Sequence, residues 1–361
     1  AIQALERAPW REGPRARVRA NALQTLAYAY QIGGEPASAA ALLDSALTLY
    51  RTTPGDTARE QLASALVNRA WLHANDGRPD VGARLMEESV EIRTDLLDPA
   101  HPSTINSMSG LASMRARTGD VEGALALMDE VVQRSVRYYG PGHPSLVGVL
   151  TSYGSLLRRR GEVDEAEAAY REAIAMLPDS SAPSGWSAQP HNELGLLLLH
   201  ERGEAARAAE HFRRAMSGFA AVRGFDDAWT AVARGNLASA LLTAGRPEEA
   251  ATEAEAAAAA LDRSGATAFL GPVLATYGLA LHHLGRQEEA TPVLERAAGL
   301  ERATGDPLRI ARAEASLGLV LATRGSPEGT ALLRGAAPVL DERGNRHEPL
   351  REWVHLALER R

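Results

Sequence analysis

The residues in this chain that could do chemistry are few, and their spacing does not suit it. His282 and His283 are adjacent, and adjacent side chains on a helix point about 100° apart. They cannot readily share a metal ion, so the pair reads as solvated or turn-capping. His101 and His143 each precede a proline, where turn or cap duty is the expected role. Glu248-Glu249 and Glu288-Glu289 pair carboxylates, but nothing sets an opposing acid or base beside them. At a helix start such pairs favour the macrodipole by about 0.3–1 kcal/mol each. Cysteine is absent, which excludes disulfides, thiolate metal sites and cysteine nucleophiles. Lysine is absent too, and all 39 basic residues are arginine, so Schiff-base and phosphate-loop lysines are excluded. The sequence contains no glycine-rich phosphate loop, His-Glu-x-x-His or calcium loop. We expect no catalytic, cofactor or metal residues.

What the sequence does carry is a ruler. Gly34, Gly77, Gly119, Gly161, Gly203, Gly245, Gly285 and Gly325 stand 43, 42, 42, 42, 42, 40 and 40 residues apart. A period in the 20–50 residue range marks a stack of copied units. Before most of these glycines lies Leu or Tyr followed by a small residue, as at Leu26-Ala27, Leu111-Ala112, Tyr153-Gly154, Leu194-Gly195, Leu237-Ala238, Tyr277-Gly278 and Leu317-Gly318. After most lies a small residue, as at Ala39, Gly82, Ala124, Ala166, Ala208, Ala250 and Ala290, then a large apolar one such as Leu43, Met86, Met128, Tyr170, Phe212 or Leu294. These spacings put the residues on one face of each of two helices. The glycine ends the first helix in the left-handed cap that glycine adopts cheaply, and Pro247 restarts the chain at a first-turn position. Ala, Leu, Glu and Arg dominate, and these are helix formers. The expected fold is all-α, one solenoid over 1–361: a lead-in over 1–15, eight helix-turn-helix units over about 16–345, and a capping helix over 346–361.

The unit resembles the tetratricopeptide repeat, with Leu150, Tyr153, Gly154, Leu157, Gly161, Ala166, Tyr170 and Ala173 as its signature. Most units here are longer than the usual 34 residues. Together with the His-Pro segments 98–102 and 139–144, this length is similar to the kinesin light chain type. The resemblance implies a right-handed superhelix whose first helices line an inner groove, and a role in protein–protein interaction. Such arrays occur in bacterial signalling regulators and C-terminal to bacterial serine/threonine kinases, so the resemblance implies a sensor or adaptor part of a larger protein. Three departures stand out. Arg69 occupies a leucine position, which predicts loose packing of its helix; unit five has one extra residue before Gly203, and unit eight is one short after Gly325. The final helix shows Trp353, Leu356 and Leu358 on an amphipathic pattern.

Counting along that register gives the inner positions. Unit one offers Asn21, Gln24, Tyr28 and Gln31. The candidate peptide groove comprises Asn68, Trp71 and Asn75; Asn106, Ser113 and Arg117, with Ser109 between them; Thr151, Ser155, Arg158 and Arg159; and Asn192, followed by Asn236. Amides suit the backbone of an extended peptide, arginines select acidic side chains, and a rigid tryptophan is an anchor type. Units six to eight turn apolar at Leu242, Ala275, Leu279, Ala315 and Leu319, a surface suited to another domain of a parent chain. Arg158, Arg159 and Arg160 also read as a charge run favoured at a helix end.

A net charge of −7 without a basic stripe argues against a nucleic-acid partner. No apolar run approaches the ~20 residues that span a bilayer, so no direct membrane insertion is expected. The first residue is Ala1, which leads us to expect a piece of a longer protein or a trimmed product. Cytoplasmic placement is expected, or extracytoplasmic placement if a parent chain has a preceding membrane span. The expected function is a non-enzymatic scaffold for a peptide or protein partner, acidic in character. A structural spacer and a peptide-sensing regulator are the alternatives.

Overall fold

A computed structural model describes residues 14–32, 35–177, 185–344, 347 and 349–359. Residues 1–13 of the lead-in and Gly34 lie outside these, as do 345, 346, 348 and the final two residues. The described residues form 17 helices and no strand. The chain divides into two compact units, Ala1–Glu162 and Val163–Arg361. The first unit holds α1 (Pro14–Ile32), α2 (Pro36–Thr52), α3 (Asp56–Asn75), α4 (Pro79–Leu96), α5 (Pro102–Arg117), α6 (Val121–Tyr139) and α7 (Leu146–Arg160). The second begins with α8 (Val163–Ala175), α9 (Gly185–His200), α10 (Ala205–Arg223), α11 (Ala228–Thr243) and α12 (Pro247–Ser264). It continues through α13 (Thr267–His283), α14 (Gln287–Arg302), α15 (Pro307–Thr323), α16 (Pro327–Arg343) and α17 (Pro349–Glu359).

Local chemistry explains the breaks. The seven described ruler glycines all have positive φ, from +71° at Gly203 to +94° at Gly119, the left-handed region that costs other residues a steric penalty. Pro79, Pro247 and Pro327 open second helices, where their missing N–H is one the helix leaves unpaired anyway. The first helices α5, α11 and α15 are capped by side chains. Asp227 accepts from the Trp229 and Thr230 amides at 2.8 and 3.4 Å, and Asp306 accepts from Leu308 and Arg309 at 2.9 and 3.1 Å. In the His-Pro segments an imidazole is the acceptor. His101 Nδ1 accepts from Ser103 N at 3.2 Å as the cap of α5, and His143 Nδ1 accepts from Ser145 N at 3.1 Å in the turn that leads into α7.

Within each unit, helices pair across the glycine turns: α3 with α4, α5 with α6, and from α9/α10 to α15/α16. The pairing rests on size complementarity. A Cβ at Gly195 would stand 2.7 Å from the Phe212 ring, one at Gly278 2.4 Å from Leu294, and one at Gly318 3.0 Å from Leu333. The extra residue of unit five lies in the turn between α9 and α10, so the contact survives it.

Polar nodes join neighbouring pairs. Arg93 on α4 is 4% exposed. It donates to Glu60 Oε1 at 3.1 Å and Ser64 Oγ at 2.7 Å on α3, and to Ser107 Oγ at 2.8 Å on α5. At the same offset from its glycine, Glu301 on α14 is buried and takes a bidentate pair from Arg309 on α15 at 2.6 and 3.0 Å. Pro272 removes an N–H from α13, and the carbonyl this would leave unpaired, that of Ala268, accepts from Arg309 Nη2 at 2.7 Å. Arg69 corrects a sequence expectation: its guanidinium binds Asp44 on α2 at 2.7 and 3.0 Å. It ties α3 to the preceding pair where loose packing had been expected.

His191 on α9 and His211 on α10 face each other, Nδ1 to Nδ1 at 2.8 Å. One donor and one acceptor satisfy that contact, so the two rings cannot both carry a proton on Nδ1. Burial comes first for both and pushes each to about 4, followed by His211 and then Arg214 for His191, and by Arg214 for His211. Against an unfolded value near 6.5, the unfolded chain binds protons first as pH falls. Stability conferred by the neutral pair is therefore complete above about pH 6.5 and is lost as pH drops toward about 4. The melting temperature should fall across that window, and His211→Asn should flatten the slope. An identical slope in the variant would remove the pair from the account. Gly195→Leu should cost about 1–3 kcal/mol by overpacking against Phe212, with partial recovery in the double variant Gly195→Leu/Phe212→Ala. Unchanged thermal stability in the single variant would refute this packing register.

Candidate functional site

In the first unit, α3, α5 and α7 carry most of the residues expected at a groove. Asn68 and Trp71 are half-buried, and Asn75, Asn106 and Arg117 are exposed. The structure brings two of them together: the Arg117 guanidinium lies 5.7 Å from the centre of the Trp71 ring. That cation–π contact holds a charge over a rigid aromatic face and bridges α3 to α5. The hydroxyls are less available. Ser109, Ser113 and Ser155 each donate to the carbonyl four residues earlier at 2.9–3.0 Å, leaving their oxygens as acceptors. Thr151 is 4% exposed and donates to Val147 O at 2.6 Å, so it lies beneath the surface on which the register placed it.

The arginine run at the end of α7 divides by role. Arg159 donates through Nη2 to Ala116 O at 2.8 Å, closing the carbonyl end of α5. Arg160 binds Glu122 at 3.2 Å and also Glu162. Arg158 is half-buried. Beside them the Tyr153 hydroxyl is pushed up to about 12, first by its hydrogen bond to Asp129 and then by burial. In the first unit, Arg117 is thus the exposed cation backed by an aromatic ring. In unit one of the repeats, Asn21 and Gln24 are turned to the buried Tyr50, whose hydroxyl donates to both at 2.6 and 3.0 Å. Tyr28 is 64% exposed.

In the second unit, Asn236 donates to Asn192 Oδ1 at 3.0 Å, an amide link between α9 and α11. Asn236 also lines a cleft of about 280 Å³. Four first helices form it: Leu199 and His200 from α9; Ser239, Leu242 and Thr243 from α11; Val273, Ala275, Thr276 and Leu279 from α13; and Arg309, Arg312 and Ser316 from α15. Of the apolar inner positions read from the sequence, Leu242, Ala275 and Leu279 line this cleft, whereas Ala315 and Leu319 are buried away from it. A further wall was not legible in the sequence. His347, Pro349, Leu350 and Trp353 line the same cleft, and Trp353 packs on His283 with ring centres 4.6 Å apart. His283, read as part of a solvated or turn-capping pair, is a seat for the C-terminal helix. Neighbouring Leu356 is 41% exposed; the inward seam of α17 is buried Leu350 and Val354 with half-buried Trp353, at the i, i+3, i+4 spacing of one helix face.

Glu301, the carboxylate at the edge of this cleft, is held by Arg309 in a bidentate pair. Among the described residues, no group of three or more His, Asp or Glu could hold a metal ion, and no helix is long and apolar enough to cross a membrane. Donors, acceptors and apolar surface for holding a ligand are present in the cleft.

Comparison with known proteins places these elements. Residues 105–179 match one tetratricopeptide-repeat family model, residues 62–103 a second, and residues 231–256 and 271–296 a third. No curated protein sequence matches the chain at a significant level. Among solved structures, the apo form of the quorum sensor NprR from B. thuringiensis is similar at 12% identity and TM-score 0.62, over 95% of this chain and 87% of that one. BtubC (BKLC) from P. vanneervenii is similar at 20% identity and TM-score 0.51, over 70% of this chain and 93% of that one. At such identities the likeness is one of fold. The forty-two-residue beat, the left-handed glycine turns and the small-against-large helix pairs have one common explanation: this chain carries tetratricopeptide repeats in both of its units.

Proposed function

We propose that this chain is a non-catalytic scaffold that holds a peptide or a segment of a protein partner against its first helices. The observation that carries this reading is the second unit's cleft, which four successive first helices build from leucine and valine side chains interspersed with Asn236, Ser239, Thr276 and Ser316. A concave apolar surface with a few polar groups to fix orientation is what a binding site requires. At about 280 Å³ it is small for a drug-sized molecule, which favours anchor side chains of a larger partner. The repeat architecture and the similarity to a quorum sensor along most of the chain accord with a binding role.

The first unit contributes a second contact region in this proposal. Arg117 over Trp71 offers a charge-assisted donor on an aromatic base, suited to an acidic side chain. Exposed Asn75 and Asn106 offer amides to the backbone beside it. Arg159 is committed to a helix end, so Arg117 is the better bearer of acidic preference.

The test is capture of fluorescent peptides followed by anisotropy, comparing acidic with neutral sequences. Arg117→Glu combined with Trp71→Ala should weaken acidic peptides by at least about ten-fold, an expectation from losing one charge-assisted contact and one aromatic anchor. Helical content should stay unchanged. Ser239→Arg should obstruct the second unit's cleft and lower capture of partners seated there. Failure of every peptide to bind the parent chain would sink the scaffold reading and favour a spacer. Equal affinity of parent and Arg117→Glu/Trp71→Ala for acidic peptides at low salt would overturn the acidic assignment.

A further inference from the structure

The C-terminal helix reveals what the second unit's cleft accepts. α17 packs on α15 and α16, as a terminal cap would. It also reaches further, with Trp353 against His283 on α13 and His347 beside Gly203, the turn between α9 and α10, where a Cβ would stand 3.1 Å from its ring. His347, Pro349, Leu350 and Trp353 thus lie against the face built by the first helices.

The footing of α17 is narrow. Leu350 and Val354 are buried and Trp353 half-buried, while Arg351, Glu352 and Leu356 face outward. Its polar ties converge on one residue of α16: Asp341 receives Arg351 at 3.1 Å and His355 at 3.0 Å. Beside Trp353 and Leu350 the cleft remains open, lined by Leu242, Val273 and Leu279. An apolar seam on an otherwise polar helix, seated beside unfilled apolar space, is the helix-in-groove mode of recognition.

We propose that the first-helix face of the second unit is a docking surface for an amphipathic helix with a Leu-x-x-Trp-Val seam. α17 occupies part of it in cis, and a partner helix with the same seam displaces α17 to fill the cleft. This rests on the scaffold reading and names the class of partner for that cleft. It also predicts that α17 is the least firmly held helix of the second unit, because a resident ligand must be able to leave.

The probe is a fluorescein-labelled synthetic peptide with the sequence of residues 347–361, tested against the full chain. The parent should bind it weakly. Leu350→Asp combined with Trp353→Asp, which frees the face from α17, should bind it at least about ten-fold more tightly. A peptide with alanine in place of its tryptophan should not bind, and Ser239→Arg in the released chain should abolish binding. Hydrogen exchange on the parent supplies a reading that needs no variant: amides of α17 should exchange faster than those of α15. Protection of α17 equal to that of α15 would overturn the proposal. So would a released variant of native helical content that ignores the peptide. If that happened while other peptides were still captured, the scaffold reading would stand and α17 would be a fixed end piece.

Discussion

The close approach of the two helices within each repeat governs everything else in both units. A glycine or alanine on the first helix leaves a hollow, and a large apolar side chain from the second fills it, as Phe212 does at Gly195 and Leu294 at Gly278. With the hollow in place, the second helix lies close enough to present a flat flank to the next pair. The ruler glycine makes the approach possible by reversing the chain in a left-handed turn within a few residues. Widening one hollow contact would tilt its second helix and displace every first helix stacked beyond it in the unit. That dependence explains why the extra residue of unit five is absorbed in the turn while Gly195 still meets Phe212.

Between pairs, repetition gives way to individuality. At one shared offset the second helices carry Arg93, Ser135, Leu261 and Glu301, all buried. The two charged ones meet partners of matching chemistry, Ser64, Ser107 and Glu60 around Arg93 and Arg309 around Glu301, while Leu261 sits in an apolar cluster and Ser135 bonds back to Val131 O of its own helix. Leaving a buried charge without its partner costs about 3–5 kcal/mol. A junction formed between the wrong pairs would pay that cost, so nodes of differing chemistry penalise a slipped stack of otherwise similar repeats.

The same economy shapes the binding surfaces. Arginine is the sole cationic side chain besides histidine, and it serves structure first: Arg93, Arg159, Arg309 and Arg69 are spent on carbonyls, hydroxyls and carboxylates of neighbouring helices. Arg117 is the contrasting case. Its support is an aromatic face, and its charge stays at the surface. In the second unit the polar share falls, and the cleft draws its walls from leucine, valine and the C-terminal tryptophan. The two units thus present surfaces of different chemistry on equivalent helices.

The amino-acid sequence by itself determined the repeat, its turns and the pairing partners within a unit. All of these follow from local constraints, namely the φ that glycine tolerates, the 3.6-residue period and side-chain size. It also determined the absence of cysteine and lysine chemistry. The tertiary structure alone decided where long side chains ended. The spacing that put Arg159 in a groove could not show Ala116 O within its reach, and Thr151, which the register placed at the surface, is 4% exposed. The same holds for α17. Its amphipathic pattern was legible, but its inward seam and its seat on His283 depend on contacts some seventy residues away in sequence. Local periodicity carries no information about such distances, because a long flexible side chain or a terminal helix chooses among surfaces that exist only once the repeats have stacked.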